Sequence, residues 1–117
     1  MIHSWGPNGR ASAVPLNMSR FKRAGIVVTH GTATLEETAY FLNLTLKILF
    51  PVVLVGAQRP ATGLSTDAGM NRVNAIHTAK DPASRGRGVL AVLNDEIHCA
   101  RDVTKTSTFG VSRNYHV

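Results

Sequence analysis

Cysteine is almost missing: Cys99 stands alone in 117 residues. One thiol excludes an internal disulfide framework and a cysteine-based zinc site within one chain. Aromatic residues are scarce, at 6%, and do not alternate with basic ones. A stacking or groove-reading nucleic-acid module needs both, so nucleic acid is not the expected partner. Long apolar runs are lacking too. The longest, Ile48 to Val55, is broken by Pro51 and far too short to cross a bilayer, so no membrane partner is expected. The leading residues hold Arg10, Arg20, Lys22 and Arg23 without an apolar core segment. No secretory signal is read there, and the cytoplasm is the default compartment. His30, His77 and His98 lack the spacing of metal ligands, so no metal is expected. A P-loop, a dinucleotide fingerprint and a Gly-x-Ser-x-Gly elbow are all absent.

Acidic residues are the minority sign: 7 Asp+Glu stand against 13 Lys+Arg, a net charge of +6. That balance favours anionic partners and says little about fold. With 44% hydrophobic and 17% charged residues the chain has a globular composition, and its length suits one domain.

Residues 1–20 carry Gly6, Pro7, Asn8, Gly9 and Pro15 without helical or strand periodicity, and read as an irregular leader. Residues 21–117 read as a partial α/β domain. Gly25 to Thr29 is β-branched and apolar, a buried strand. A helix from Leu35 to about Leu46 follows, with Leu35, Ala39, Leu42 and Leu46 on one face. Phe41, Leu44 and Ile48 form a second stripe, so both sides of this helix want burial. Pro51 to Val55 is a second continuous apolar strand, as suits a parallel sheet covered on both faces. Thr66 or Asp67 can cap a helix running through Met70, Val73, Asn74 and His77 to about Asp81-Pro82. A basic, flexible connector, Ser84 to Gly88, leads to a third strand, Val89 to Leu93, then a turn at Asn94-Asp95. A more polar strand is expected between Ile97 and Lys105, and from Thr106 the pattern fades.

The order β-α-β-α-β with right-handed crossovers predicts a three-layer α/β fold with a parallel sheet. The loops after Thr29, Val55 and Leu93 then share one edge. With no strand read before Gly25, an open sheet edge is expected beside it.

Within that edge, Thr34 and Glu37 have the spacing of a capping box, which starts the first helix. Gly31-Thr32-Ala33 therefore lies between a strand end and a helix start. Open α/β sheets bind ligands there, and the helix N-terminus favours an anion. Thr29 ends a strand and Thr34 caps a helix. Thr32 has neither duty and is the candidate reactive hydroxyl. Lys105 follows a strand in a polar run. A lysine is ordinarily a surface residue, but one buried beside a threonine has a lowered pKa and can take the hydroxyl proton.

Val28-Thr29-His30-Gly31-Thr32-Ala33-Thr34-Leu35-Glu36-Glu37-Thr38-Ala39 resembles the second signature of bacterial-type L-asparaginases. The resemblance continues through Pro51 to Pro60, Ser65-Thr66-Asp67, Asn71, Asn74-Ala75, Arg87 to Leu90 and Asn94-Asp95. It ends in Arg101-Asp102-Val103-Thr104-Lys105-Thr106. It implies a middle segment of a flavodoxin-like N-terminal α/β domain, and hydrolysis of L-asparagine to L-aspartate and ammonia, with glutamine as an alternative substrate. It also implies that neither metal nor organic cofactor takes part, and that subunits associate as a homo-oligomer.

Carried over by position, the resemblance makes Thr32 a catalytic threonine and Lys105 its partner lysine. Gly31, Ala57 and Gln58 line the substrate. Ala33 falls where the family has an aspartate that holds the substrate's α-ammonium. The family's first signature, Thr-Gly-Gly-Thr-Ile-Ala, does not occur in these residues, and no threonine precedes Thr29. The competing expectation is therefore a catalytically impaired fragment that acts through self-association or association with a full-length subunit.

Overall fold

The computed structural model describes residues 25–104 with their side chains, together with the backbone of Lys105 and of the strands Ile2–Trp5, Ala11–Ala13 and Tyr115–His116. The expectation that the pattern fades from Thr106 onward falls, over residues 106–114, outside the described residues.

Three apolar strands make the centre of the fold. Numbered along the chain, the strands are β1 (Ile2–Trp5), β2 (Ala11–Ala13), β3 (Gly25–Thr29), β4 (Val52–Val55), β5 (Val89–Leu93), β6 (Glu96–Cys99), β7 (Thr104–Lys105) and β8 (Tyr115–His116). The helices are α1 (Leu35–Thr45) and α2 (Ala68–Lys80). The main sheet runs β2-β1-β3-β4-β5-β6. β3, β4 and β5 are parallel, with Thr29 opposite Val55 and Val55 opposite Val92, so their carboxyl ends share one edge as expected.

Alternation along these strands feeds two separate cores. Ile26, Val52, Leu54, Val89, Ala91 and Leu93 face α1 with Leu35 and Ala39. Val27, Val53, Val55, Leu90 and Val92 face α2 with Ala75 and Ala79. β4 and β5 are buried along their whole length, because both pleat faces are covered. The result is a mixed α/β sheet with helices on both faces, consistent with part of a flavodoxin-like domain.

The structure departs from the sequence reading, or adds to it, in five places. Residues 1–19 show no alternation, yet Ile2–Trp5 and Ala11–Ala13 pair as antiparallel strands, and β1 pairs with β3. The edge expected to lie open beside β3 is thus covered by the chain's own leader. Backbone pairing imposes no side-chain period, which is why pattern alone missed it. The fourth strand, β6, is antiparallel to β5 and joined by a two-residue hairpin. Asn94 and Asp95 both adopt positive φ, 51° and 64°, as a type I′ turn needs.

The capping box does not form: Thr34 occupies the N-cap of α1 without a side-chain cap bond. α2 buries Asn71, Ala75, Thr78 and Ala79, while Met70, Val73 and His77 face outward. Small residues let this helix lie close on the sheet. A Cβ on Gly25 would run into the Ala79 carbonyl and meet Ala79 Cβ at 3.0 Å. Finally, the basic connector is anchored: Pro82–Ser84 forms a short 3-10 turn, and Arg87 Nε donates to the Ala83 carbonyl at 2.7 Å.

Candidate functional site

β3 ends at Thr29, and the next backbone N–H, of His30, donates to the Val55 carbonyl of β4 at 2.9 Å. The loops that leave β3 and β4 therefore start side by side. Gly56 shows how tightly they meet. A Cβ there would lie 2.9 Å from Thr32 Cγ2, 3.0 Å from the His30 carbonyl oxygen and 3.2 Å from Leu35 Cδ1. Only a glycine lets the β4 loop reach the threonine. Thr32 is half-buried at this junction, whereas Gly31 and Ala33 are exposed beside it.

The His30 ring braces the same corner. Its Nδ1 lies 2.7 Å from the Gly31 carbonyl and its Nε2 lies 3.0 Å from Thr38 Oγ1 on α1. The sequence marks His30 as part of the signature and as a histidine without metal-ligand spacing, and gives no sign of this brace. Among the described residues no group of three or more His, Cys, Asp or Glu is arranged to hold a metal.

Ala57 and Gln58 are half-buried in the loop after Gly56. Gln58 Oε1 is buried and accepts no hydrogen bond among the described residues. The backbone N–H groups of Gln58 and Arg59 donate to the two Asp67 carboxylate oxygens at 3.0 Å each. Burial pushes the Asp67 carboxyl up, but those two N–H donors and the Asn71 amide outweigh it and hold the group below its ordinary range. Thr29, His30, Gly31, Ala57, Arg59 and Arg72 line a pocket of about 490 Å³ at this edge. Arginine and histidine in the wall suit a ligand carrying negative charge.

The structure thus brings Thr32 against the Gly56–Gln58 loop. Lys105 belongs to another sheet: its backbone pairs with Tyr115 in the two-stranded β7–β8 sheet. Its side chain lies outside the described residues. The sequence offers Asp67 as a helix cap, and the resemblance includes both Asp67 and Asn71. Their four-residue spacing at the start of a helix, just after an irregular loop, was the available signal for a shared task.

A family model described as "Asparaginase, N-terminal" matches residues 11–113. The chain belongs to the asparaginase family. It is 54% identical over 100 residues to L-asparaginase 2 of Escherichia coli, covering 86% of this chain and 29% of that protein. It is 61% identical over 87 residues to a probable periplasmic L-asparaginase of Haemophilus influenzae, 74% of this chain and 25% of that one. A glutaminase-asparaginase of Pseudomonas fluorescens is 54% identical over 81 residues, 69% of this chain and 22% of that one. The chain therefore spans less than a third of the length of these relatives. Among its described residues no helix is long and apolar enough to cross a membrane. The cytoplasmic expectation stands beside one relative named as periplasmic.

Proposed function

We propose that this chain carries part of an amidohydrolase site of asparaginase type, acting on the side-chain amide of L-asparagine, with L-glutamine as the alternative. The observation that carries the reading is the packing of Gly56 against Thr32, which joins the two loops into one mouth. In this reading the Thr32 hydroxyl attacks the amide carbon or activates the water that does. Lys105, in its neutral form, accepts the hydroxyl proton. Ala57 and Gln58 line the amide, and Gly31 leaves room for the substrate beside Thr32. The N-terminus of α1 favours the negative charge that develops on the amide oxygen. The proton taken from the hydroxyl is returned to the leaving nitrogen, the C–N bond breaks and ammonia departs; where Thr32 is the nucleophile, water then cleaves the acyl ester, giving the carboxylate and restoring the hydroxyl. The family resemblance involves no cofactor.

Ammonia release from L-asparagine by the purified chain, beside Thr32→Ala and Lys105→Ala, tests the reading. Loss of activity in both variants is expected. Equal rates in all three would overturn it.

A second reading has its own observation. Phe41 and Leu44 are 63% and 65% exposed, so two residues of the outer α1 stripe that the sequence expects to be buried are bare, while the third, Ile48, packs partly buried against the core. A chain impaired in catalysis would use such a stripe to associate with itself or with a full-length asparaginase subunit. Sedimentation of the chain alone and mixed with an intact asparaginase decides this. A monomer that ignores the larger protein would dispose of it.

A further inference from the structure

Asp67 occupies the N-cap position of α2, where an aspartate ordinarily accepts from the first N–H groups of its own helix. It makes no such bond. Thr66 Oγ1 takes the Ala68 N–H instead, at 3.1 Å. The Asp67 carboxylate is turned to the loop after β4: Oδ2 accepts from the Gln58 N–H and Oδ1 from the Arg59 N–H. One turn along α2, Asn71 is 2% exposed and fully engaged. Its Nδ2 donates to the Gly56 carbonyl at 3.0 Å and to Asp67 Oδ2 at 2.9 Å. Its Oδ1 accepts the Asn94 N–H at 3.2 Å, at the turn after β5.

These anchors sit on both sides of Ala57. A trans peptide plane points its C=O and N–H in opposite directions, and none of the described peptides is cis. With the Gly56 carbonyl held towards α2, the Ala57 N–H is directed away from that helix. With the Gln58 N–H also held towards α2, the Ala57 carbonyl is directed away as well. One residue then presents a donor and an acceptor side by side, the pairing that a carboxamide needs.

We propose that Asp67 and Asn71 are positioning residues that fix the Gly56–Arg59 loop for amide binding and tie it to the β5–β6 turn. The role in binding rests on the amidohydrolase reading above; the hold on the loop does not. Two side chains on one helix replace the regular pairing that an irregular loop lacks, and a fixed loop avoids the ordering cost when substrate arrives.

Amide hydrogen exchange and L-asparagine titration, followed by NMR on the native chain, Asp67→Asn, Asp67→Glu and Asn71→Ala, test this. Asp67→Asn should speed exchange at Gln58 and Arg59 about tenfold or more, leave β4 and β5 protected, and weaken L-asparagine binding about tenfold. Asp67→Glu, which keeps both acceptor oxygens, should recover part of each loss. Asn71→Ala should also release the Asn94 amide. Unchanged exchange at Gln58 and Arg59 in Asp67→Asn overturns the proposal, as does L-asparagine binding equal to native. A native chain that neither binds L-asparagine nor releases ammonia overturns the amidohydrolase reading and the binding role. The exchange rates still decide the hold on the loop in that case.

Discussion

His30 Nε2 and Thr38 Oγ1 lie 3.0 Å apart and tie the end of β3 to the first turns of α1. The other ring nitrogen faces the Gly31 carbonyl at 2.7 Å, and a carbonyl can only accept. Nδ1 therefore carries the proton. In the neutral ring Nε2 is then the acceptor, and the Thr38 hydroxyl donates to it. The loop bearing Thr32 is thus held from both ends of one imidazole.

Thr38→Val removes the hydroxyl while keeping the shape. A loss of about 1 kcal/mol in unfolding free energy is expected, the usual worth of one partly buried hydrogen bond. The urea midpoint measures it. Nitrogen chemical shifts of the His30 ring give the independent check: Nδ1 protonated in the native chain, and a mixture of tautomers in the variant. A single unchanged tautomer in Thr38→Val would mean that Gly31 alone sets it.

Gly56→Ala forces a methyl group to within 2.9 Å of Thr32 Cγ2 and 3.0 Å of the His30 carbonyl oxygen. The carbonyl belongs to the backbone at the end of β3 and yields poorly. A loss of about 1–3 kcal/mol is expected from overpacking, read as a lower thermal or urea midpoint. Because Thr32 must also move, any ammonia release should fall further than stability does. Gly31→Ala is the control for stability alone, since nothing lies within 4 Å of its added Cβ.

The fold was legible where burial imposed a period, and the site where residue type allowed only one job. β4 and β5 are apolar along their length, because both faces are covered, and a continuous apolar run says so directly. The Gly31–Ala33 mouth followed from a strand end abutting a helix start. β1 escaped, since its pairing with β3 is a matter of backbone hydrogen bonds. The buried face of α2 escaped for another reason. Close approach selects Ala75 and Ala79 and a polar Asn71, while the larger Met70 and Val73 are exposed, so no stripe of large apolar residues marks the inner face. Asp67 has the residue type of a cap, and sequence cannot tell which N–H groups a carboxylate will choose. Thr34 illustrates the converse: the capping-box spacing is present and the cap bond is not.

His98 is 4% exposed on β6, with Glu96 Oε2 3.5 Å from its Nε2. Burial pushes its pKa down, and the neighbouring carboxylate pushes it partly back, leaving it below the ordinary 6.5. The unfolded chain then takes up a proton before the folded one does. Stability contributed by the neutral ring is complete above 6.5 and falls as pH drops from there to the folded-state value. Urea midpoints across that window should decline with falling pH in the native chain and decline less in His98→Gln. Glu96→Gln, which removes the opposing charge, should steepen the decline. Parallel curves for native chain and His98→Gln would place the acid sensitivity elsewhere.

Ala33 is exposed beside Thr32, one residue before the N-cap of α1. Ala33→Asp would put a carboxylate at the mouth, where the resemblance places an ammonium anchor and where the helix N-terminus tolerates negative charge. A gain in stability of about 0.3–1 kcal/mol is the most that the helix end alone would give. The effect on binding should be larger and selective. Affinity for L-asparagine should rise at least about tenfold, corresponding to about 1.4 kcal/mol. Succinamate, which has the same side-chain amide and carboxylate without the α-ammonium, should gain nothing, and the new negative charge should weaken its binding. Calorimetric titration of both ligands against native chain and variant measures the difference. Equal gains for the two would show that the carboxylate acts through the loop's conformation and not through the ammonium. No gain for L-asparagine would mean that position 33 does not face the bound amino group.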